Sequence, residues 1–130
     1  MIMSLYDAFQ ELKELVERFE GLIEKGKVAT STRNVDLIND FINSAEEIYQ
    51  HANSVLEGSR NILMGSQRED SLFKYADVYY RMLVLVSIPY TVKILESASS
   101  ILRGKNFEEH ANRALLLAEK LRVLVDTLKH

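Results

Sequence analysis

A chain of 130 residues with 47% apolar and 27% charged residues is expected to fold as one globular domain, residues 1–130, since a chain this long buries roughly two-thirds of its unfolded surface. It has no cysteine, which excludes disulfides and thiolate metal sites. The net charge of −3 divides into −5 over residues 1–65 and +2 over residues 66–130, an asymmetry too mild to be the basic footprint of a nucleic-acid binder.

One proline and five glycines leave few obligate breaks, so the chain reads as long helices. Ser4 with Asp7 makes a short capping box at the start of the first. Leu5, Phe9, Leu12, Val16, Phe19 and Ile23 then alternate in steps of four and three, which keeps one apolar seam along a helix. Gly26 is expected to end it, because glycine takes the left-handed C′ conformation at little cost. Residues 27–33 then read as a loop, with Ser31, Thr32 or Asn34 capping the second helix. The second stripe is Val35, Ile38, Ile42, Ala45, Tyr49, Ala52 and Leu56. It stops at Gly58 or continues to Gly65, and the heptad step from Leu56 to Leu63 favours the longer helix.

Residues 65–71 form a polar connection in which Ser66 with Glu69 makes a capping box, and Asp70 or Ser71 is an alternative cap. The third segment runs to Gly104 with a stripe of Leu72, Ala76, Tyr79, Leu83 and Val86, which makes Leu83 and Val86 expected core residues. Its run Met82–Ile88 is apolar on every side, so a helix built from it is expected to be surrounded by protein. Pro89 cannot donate to the carbonyl of Leu85 and its ring crowds that turn. The segment is therefore one kinked helix, or two helices meeting near Ser87, which would then cap the second. A continuous version is about 50 Å long and overhangs its partners. Gly104-Lys105 makes a tight connection, and Asn106 with Glu109 a further capping box. The last stripe is Phe107, Ala111, Ala114, Ala118, Leu121, Val125 and Leu128, widened by Leu115, Leu117 and Leu124, and Lys129 and His130 suit its C-terminal dipole. No stretch alternates with period two. The expected fold is all-α, a four-helix, mostly antiparallel up-and-down bundle with heptad packing and the third helix kinked or split at Pro89.

The N-terminus carries no basic region ahead of an apolar stretch. Only eleven uncharged residues separate Arg81 from Lys93, fewer than the roughly 20 of a membrane span. A cytoplasmic location is the expectation.

Chemistry-bearing patterns are sparse. Glu47 and His51 are four apart and could share a metal, yet Glu-x-x-His, the spacing of di-iron bundles, is absent. A solvated pair is the expected state, with no metal and no cofactor. The chain contains no Gly-x-Ser-x-Gly elbow, no phosphate-cradling loop and no dinucleotide fingerprint. Tyr75, Tyr79, Tyr80 and Tyr90 lie near Lys74 and Arg81. Aromatics among cations can stack bases, but tyrosines on a half-wet helix face more often serve packing or an oligomer interface, and these four are the expected interface.

Arg103 and His110 bracket the last connection. Here the chain resembles the HEPN family of small helical bundles, whose ribonuclease members carry an arginine, four to six residues, then a histidine near the start of a late helix and at a dimer interface. The resemblance implies that Arg103 stabilises a phosphate and that His110 acts as acid or base. The asparagine that commonly follows the family's arginine is replaced by Gly104, with Asn106 further along. Ile101 to Ala111 is also similar to the hairpins of tetratricopeptide-like modules, without a 34-residue repeat, and small helical subunits of CRISPR effector nucleoprotein complexes match in size and class. The leading expectation remains a non-catalytic interaction or structural protein that works through helix-face contacts. Its expected partners are a second copy of itself or another protein, rather than nucleic acid or membrane. An RNA-associated or ribonuclease bundle using Arg103 and His110 is the alternative.

Overall fold

The computed structural model describes residues 3–66 and 70–129, which form an all-α four-helix arrangement. Its elements are α1 (Leu5–Thr32), α2 (Val35–Met64), α3 (Ser71–Met82), a π turn (Leu83–Ser87), α4 (Ile88–Gly104) and α5 (Glu108–Lys129). α3, the π turn and α4 follow one another without a break, so Ser71–Gly104 counts as the third helix of the bundle. The interior is one cluster of buried side chains drawn from every helix, with Phe19, Phe41, Leu12, Leu56, Leu95 and Leu121 among its largest members.

α1 starts where the sequence places it. Ser4 Oγ accepts from the Asp7 N–H at 3.1 Å, and Asp7 Oδ2 accepts from the Ser4 N–H at 3.2 Å. Its end is a correction, because neither a stop at Gly26 nor a loop over 27–33 exists. The helix continues to Thr32 with Gly26 buried inside it. A Cβ built on Gly26 would lie 2.6 Å from a ring carbon of Phe41 and 2.7 Å from a methyl of Ile94. Glycine is there so that α1 can approach α2 and α4 closely, which stabilises packing rather than ending a helix. In the polar run that follows, which stays helical to Thr32, the hydroxyls bond back one turn. Thr30 Oγ1 donates to the Gly26 carbonyl at 2.9 Å, and Thr32 Oγ1 to that of Val28 at 2.8 Å. Arg33 then turns the chain with φ 56°, in the left-handed region.

Asn34 caps α2, its Oδ1 accepting from the Leu37 N–H at 3.0 Å. The helix passes Gly58 and ends at Met64, as the step from Leu56 to Leu63 requires. The Ser66–Glu69 box lies partly outside the described residues. The cap in place at α3 is Asp70, whose Oδ1 accepts from Leu72 N–H at 2.8 Å.

Pro89 neither splits the third helix nor leaves Ser87 as a cap. Ser87 has helical φ and ψ and caps nothing. The turn before the proline widens instead, and the Ile88 N–H reaches back five residues to the Leu83 carbonyl. That bond defines a π turn, which inserts one extra residue and relieves the crowding a proline ring imposes on an α turn. The insertion shifts the register by one. Leu83, Val84, Ser87 and Ile88 face inward, while Leu85 is 58% exposed and Val86 61% exposed. Val86 is therefore corrected from core to surface, and Leu83 is fully buried. All-round burial of Met82–Ile88 is likewise corrected. Each helix of a four-helix bundle occupies a corner, so one side of it has no neighbour. By length and composition Ser71–Gly104 could cross a membrane, and 44% of its most apolar window is buried inside the bundle.

The connection to α5 also departs from the expected box. Asn106 takes the left-handed position (φ 69°) and its N–H donates to the Arg103 carbonyl, while the Phe107 N–H donates to that of Leu102. These two bonds are the Schellman ending of α4, so Asn106 completes the helix before it, and α5 begins only at Glu108. Inside the bundle, buried Ser99 Oγ donates to the Ala111 carbonyl at 2.9 Å and ties α4 to α5. At the other end the Tyr80 hydroxyl donates to the Leu128 carbonyl at 3.3 Å. The residues before Tyr80 thus overhang α5 by about two turns, with Phe9 of α1 still stacked beside Tyr79 at 5.9 Å.

Leu83→Ala is expected to cost about 2–5 kcal/mol in urea unfolding, whereas Val86→Asp should stay within about 0.5 kcal/mol of the parent chain. A large loss from Val86→Asp in a chain held monomeric would contradict the shifted register. Gly26→Ala should destabilise by about 1–3 kcal/mol through overpacking, although alanine is the better helix former by about 1 kcal/mol. A raised melting temperature for Gly26→Ala would mean the close approach is not there.

Candidate functional site

Arg103 is the last basic residue of α4 and lies over the start of α5. Its Nε donates to Glu108 Oε2 at 3.1 Å and its Nη2 to Asn112 Oδ1 at 2.8 Å. Glu108 and Asn112 are one turn apart on α5. His110 stands midway between them in sequence, about 200° around the helix from either, so it faces away from Arg103. The His110 Nδ1 is buried without a hydrogen-bond partner, and its ring lies 6.2 Å from that of Phe107. Within one chain, Arg103 and His110 therefore point to different sides of α5. The fold also commits the arginine to a carboxylate, which competes with any phosphate for the same donors.

His110 lies on the α2 side of α5, one turn before Arg113, which donates to Asn43 Oδ1 at 2.7 Å and forms an ion pair with Glu46. Glu47 and His51 share a helix face with an exposed carboxylate and a half-buried ring. Among the described residues, no three His, Asp or Glu side chains gather where they could hold a metal ion. A cleft of about 380 Å³ opens beyond the last turn of α5, between Arg60, Phe73, Tyr80 and Lys129. Burial pushes the Tyr80 phenol above its ordinary pKa. Nearby Arg60 pulls it down and Asp77 pushes it further up. The cleft brings no nucleophile together with a base.

The four tyrosines divide into two pairs. Tyr79 packs on Phe9 and Tyr80 holds the end of α5, so both serve the bundle itself. Tyr75 (62% exposed) and Tyr90 (43%) face outward. Between them, on the same side of the third helix, lie Val78 (53%), Met82 (37%), Leu85 (58%) and Val86 (61%). Together they form an uninterrupted apolar stripe about 22 Å long. The sequence pattern points to the tyrosines but not to the four aliphatic residues. For Met82, Leu85 and Val86 the signal is the all-round apolarity of Met82–Ile88, which by itself reads as burial. Exposed Lys74, Arg81 and Lys93 border the stripe, and Arg81 also pairs with Asp77 at 2.9 Å. α5 carries a shorter exposed set, Leu115, Leu116 and Val123.

Comparison with protein-family models, with curated proteins and with solved structures returned no match for this chain. The geometry alone therefore carries the functional argument.

Cleavage of a labelled single-stranded RNA is expected to be absent for the purified chain and for His110→Ala alike. Cleavage by the parent that disappears in His110→Ala would establish the ribonuclease reading against this geometry.

Proposed function

We propose that this chain is a non-catalytic interaction protein whose working surface is the outer face of its third helix. One observation carries the reading, the exposed stripe from Tyr75 to Tyr90. Side chains of this size, contiguous and facing water, mark contact sites on soluble proteins. Tyrosines at both ends add amphipathic contact area at low conformational cost, because each has only two rotatable side-chain bonds. The chemistry of the remaining surface agrees. Its ion pairs, such as Arg122 with Glu96 and Arg113 with Glu46, join neighbouring helices across the bundle surface. Such exposed pairs stabilise modestly. Function then resides in which helix face is presented, and the other helices hold that face in place.

Hydroxyl-radical footprinting checks this. Tyr75, Met82 and Tyr90 should react readily in the dilute purified chain and be protected in extract of the native cells or in the concentrated purified chain. Tyr6, exposed at 58% on α1, is the reference and should react equally throughout. Equal reactivity of all four residues in dilute buffer, in extract and in the concentrated purified chain would end this reading.

A further inference from the structure

The face just described has the properties of one half of a two-fold interface. We infer that its occupant is a second copy of this chain, laid antiparallel, with the symmetry axis passing near Met82 and Leu83. This rests on the reading that the outer face is the contact surface, and it names the partner.

Area is the first argument. From their exposures, the six side chains Tyr75, Val78, Met82, Leu85, Val86 and Tyr90 present on the order of 500 Å² to solvent, at the upper end of the largest patch on a typical monomer. Two such faces together remove about 1,000 Å² of apolar surface. The aliphatic stems of Lys74, Arg81 and Lys93 at the margin bring the total into the range of a stable interface, about 1,200–2,000 Å².

Order along the helix is the second. A two-fold contact needs a patch complementary to itself. Read from one end the face runs Tyr75, Val78, Met82, and from the other Tyr90, Val86, Leu85. An antiparallel copy sets Tyr75 against the partner's Tyr90, Val78 against the partner's Val86, and Met82 close to its own symmetry mate. Aromatic residues then close both ends, β-branched residues lie inside them, and long flexible side chains fill the middle. The third helix overhangs α5 at its N-terminal end, and antiparallel pairing seats that overhang beside the full thickness of the other bundle. It also opposes the two helix dipoles.

Charge is the third, and it separates this occupant from others. The centre of the face carries no charge, so pairing buries none. The margin carries Lys74, Arg81 and Lys93 from each copy; Asp77 pairs with Arg81, Asp70 lies one turn before Lys74, and Glu96 beside Lys93 pairs with Arg122, so cations remain in slight excess there. Two copies therefore repel at the rim and attract in the middle. Salt screens the rim and leaves the middle intact, so the pair tightens as salt is raised. An acidic helix of another protein, or an anionic membrane, would loosen instead.

The test uses the whole chain. Light scattering at high micromolar concentration should give twice 14.9 kDa, with a dissociation constant that falls as salt rises from about 0.1 M to about 1 M, over which the Debye length shrinks from about 10 Å to about 3 Å. Leu85→Asp with Val86→Asp should return the chain to 14.9 kDa, with helix content and melting temperature of the diluted parent confirming that it still folds. Because the chain has no cysteine, orientation is read by single replacements. Met82→Cys should link to itself through a short bismaleimide. Tyr75→Cys should link to Tyr90→Cys in a mixture, and neither should link to itself. A monomer at every concentration overturns the inference, as does a dimer that survives the double replacement or links through Tyr75→Cys alone. Binding of the monomer to phosphatidylcholine vesicles containing phosphatidylserine would give the face to a membrane. If a chain that stays monomeric is nevertheless protected at Tyr75, Met82 and Tyr90 in extract, the second copy fails as occupant while the contact-surface reading stands. If protection is absent as well, both fail.

Discussion

A missing amide hydrogen at Pro89 governs how this bundle presents itself. An α-helix passing through that position would lose the bond to Leu85 and press the ring onto its carbonyl, a cost of about 3 kcal/mol or more. The chain meets this with a wider turn over Leu83–Ser87, closed by the bond from Ile88 N–H to the Leu83 carbonyl. Buried Thr91 also donates its hydroxyl to the Ser87 carbonyl at 2.8 Å, at the exit of the same turn. The helix stays continuous from Ser71 to Gly104, and the residue inserted into the turn rotates everything after it by one register step. That step decides which side chains form core and which form surface in the second half of the third helix.

The other helices are arranged around this one through close approach. Gly26 lets α1 lie against both α2 and α4, with no room for even a methyl group. Ala76, Ala98, Ala111, Ala114 and Ala118, all fully buried, make similar small-residue contacts along the third and last helices. Small residues at the seams bring backbones near one another and leave Leu and Phe to fill the centre, as dense packing requires. A rigid scaffold of this kind suits a contact protein. The outer stripe is held on one continuous helix packed against the bundle, so its backbone is ordered before a partner arrives.

The contrast between the outer stripe and the Arg103–His110 pair shows what spacing can and cannot say about a site. Spacing put both residues beside one connection, and the structure agrees. Direction around the helix is a separate matter, because Glu108 and Asn112 take the arginine on one side of α5 while His110 turns to the other. Catalysis by such a pair depends on the distance between two functional groups and a reacting atom. Six residues of separation in sequence do not determine that distance.

Much of the fold was legible without coordinates. Apolar steps of three and four identified all four helices. Ser4 with Asp7 marked the first start, Asn34 and Asp70 were among the caps named for the next two, and Leu56 with Leu63 carried α2 past Gly58 to Met64. These features are local, made of residues within a turn or two of one another, and local propensity and capping determine them. What escaped was decided by groups far apart in the chain. Gly26 looks like a stop signal until Phe41 and Ile94 are seen against it, and Asn106 looks like a cap for α5 until its N–H is found completing α4. Val86 fits the core stripe until the π turn rotates it into solvent. Hydrophobic pattern specifies that a residue can be buried. Whether it is depends on how many neighbours surround it, and in a bundle of four helices each helix has neighbours on only part of its circumference. The sequence therefore determined an all-α bundle with an apolar third helix. Only the packing of that helix into a corner decided that one side of its apolar surface would face outward.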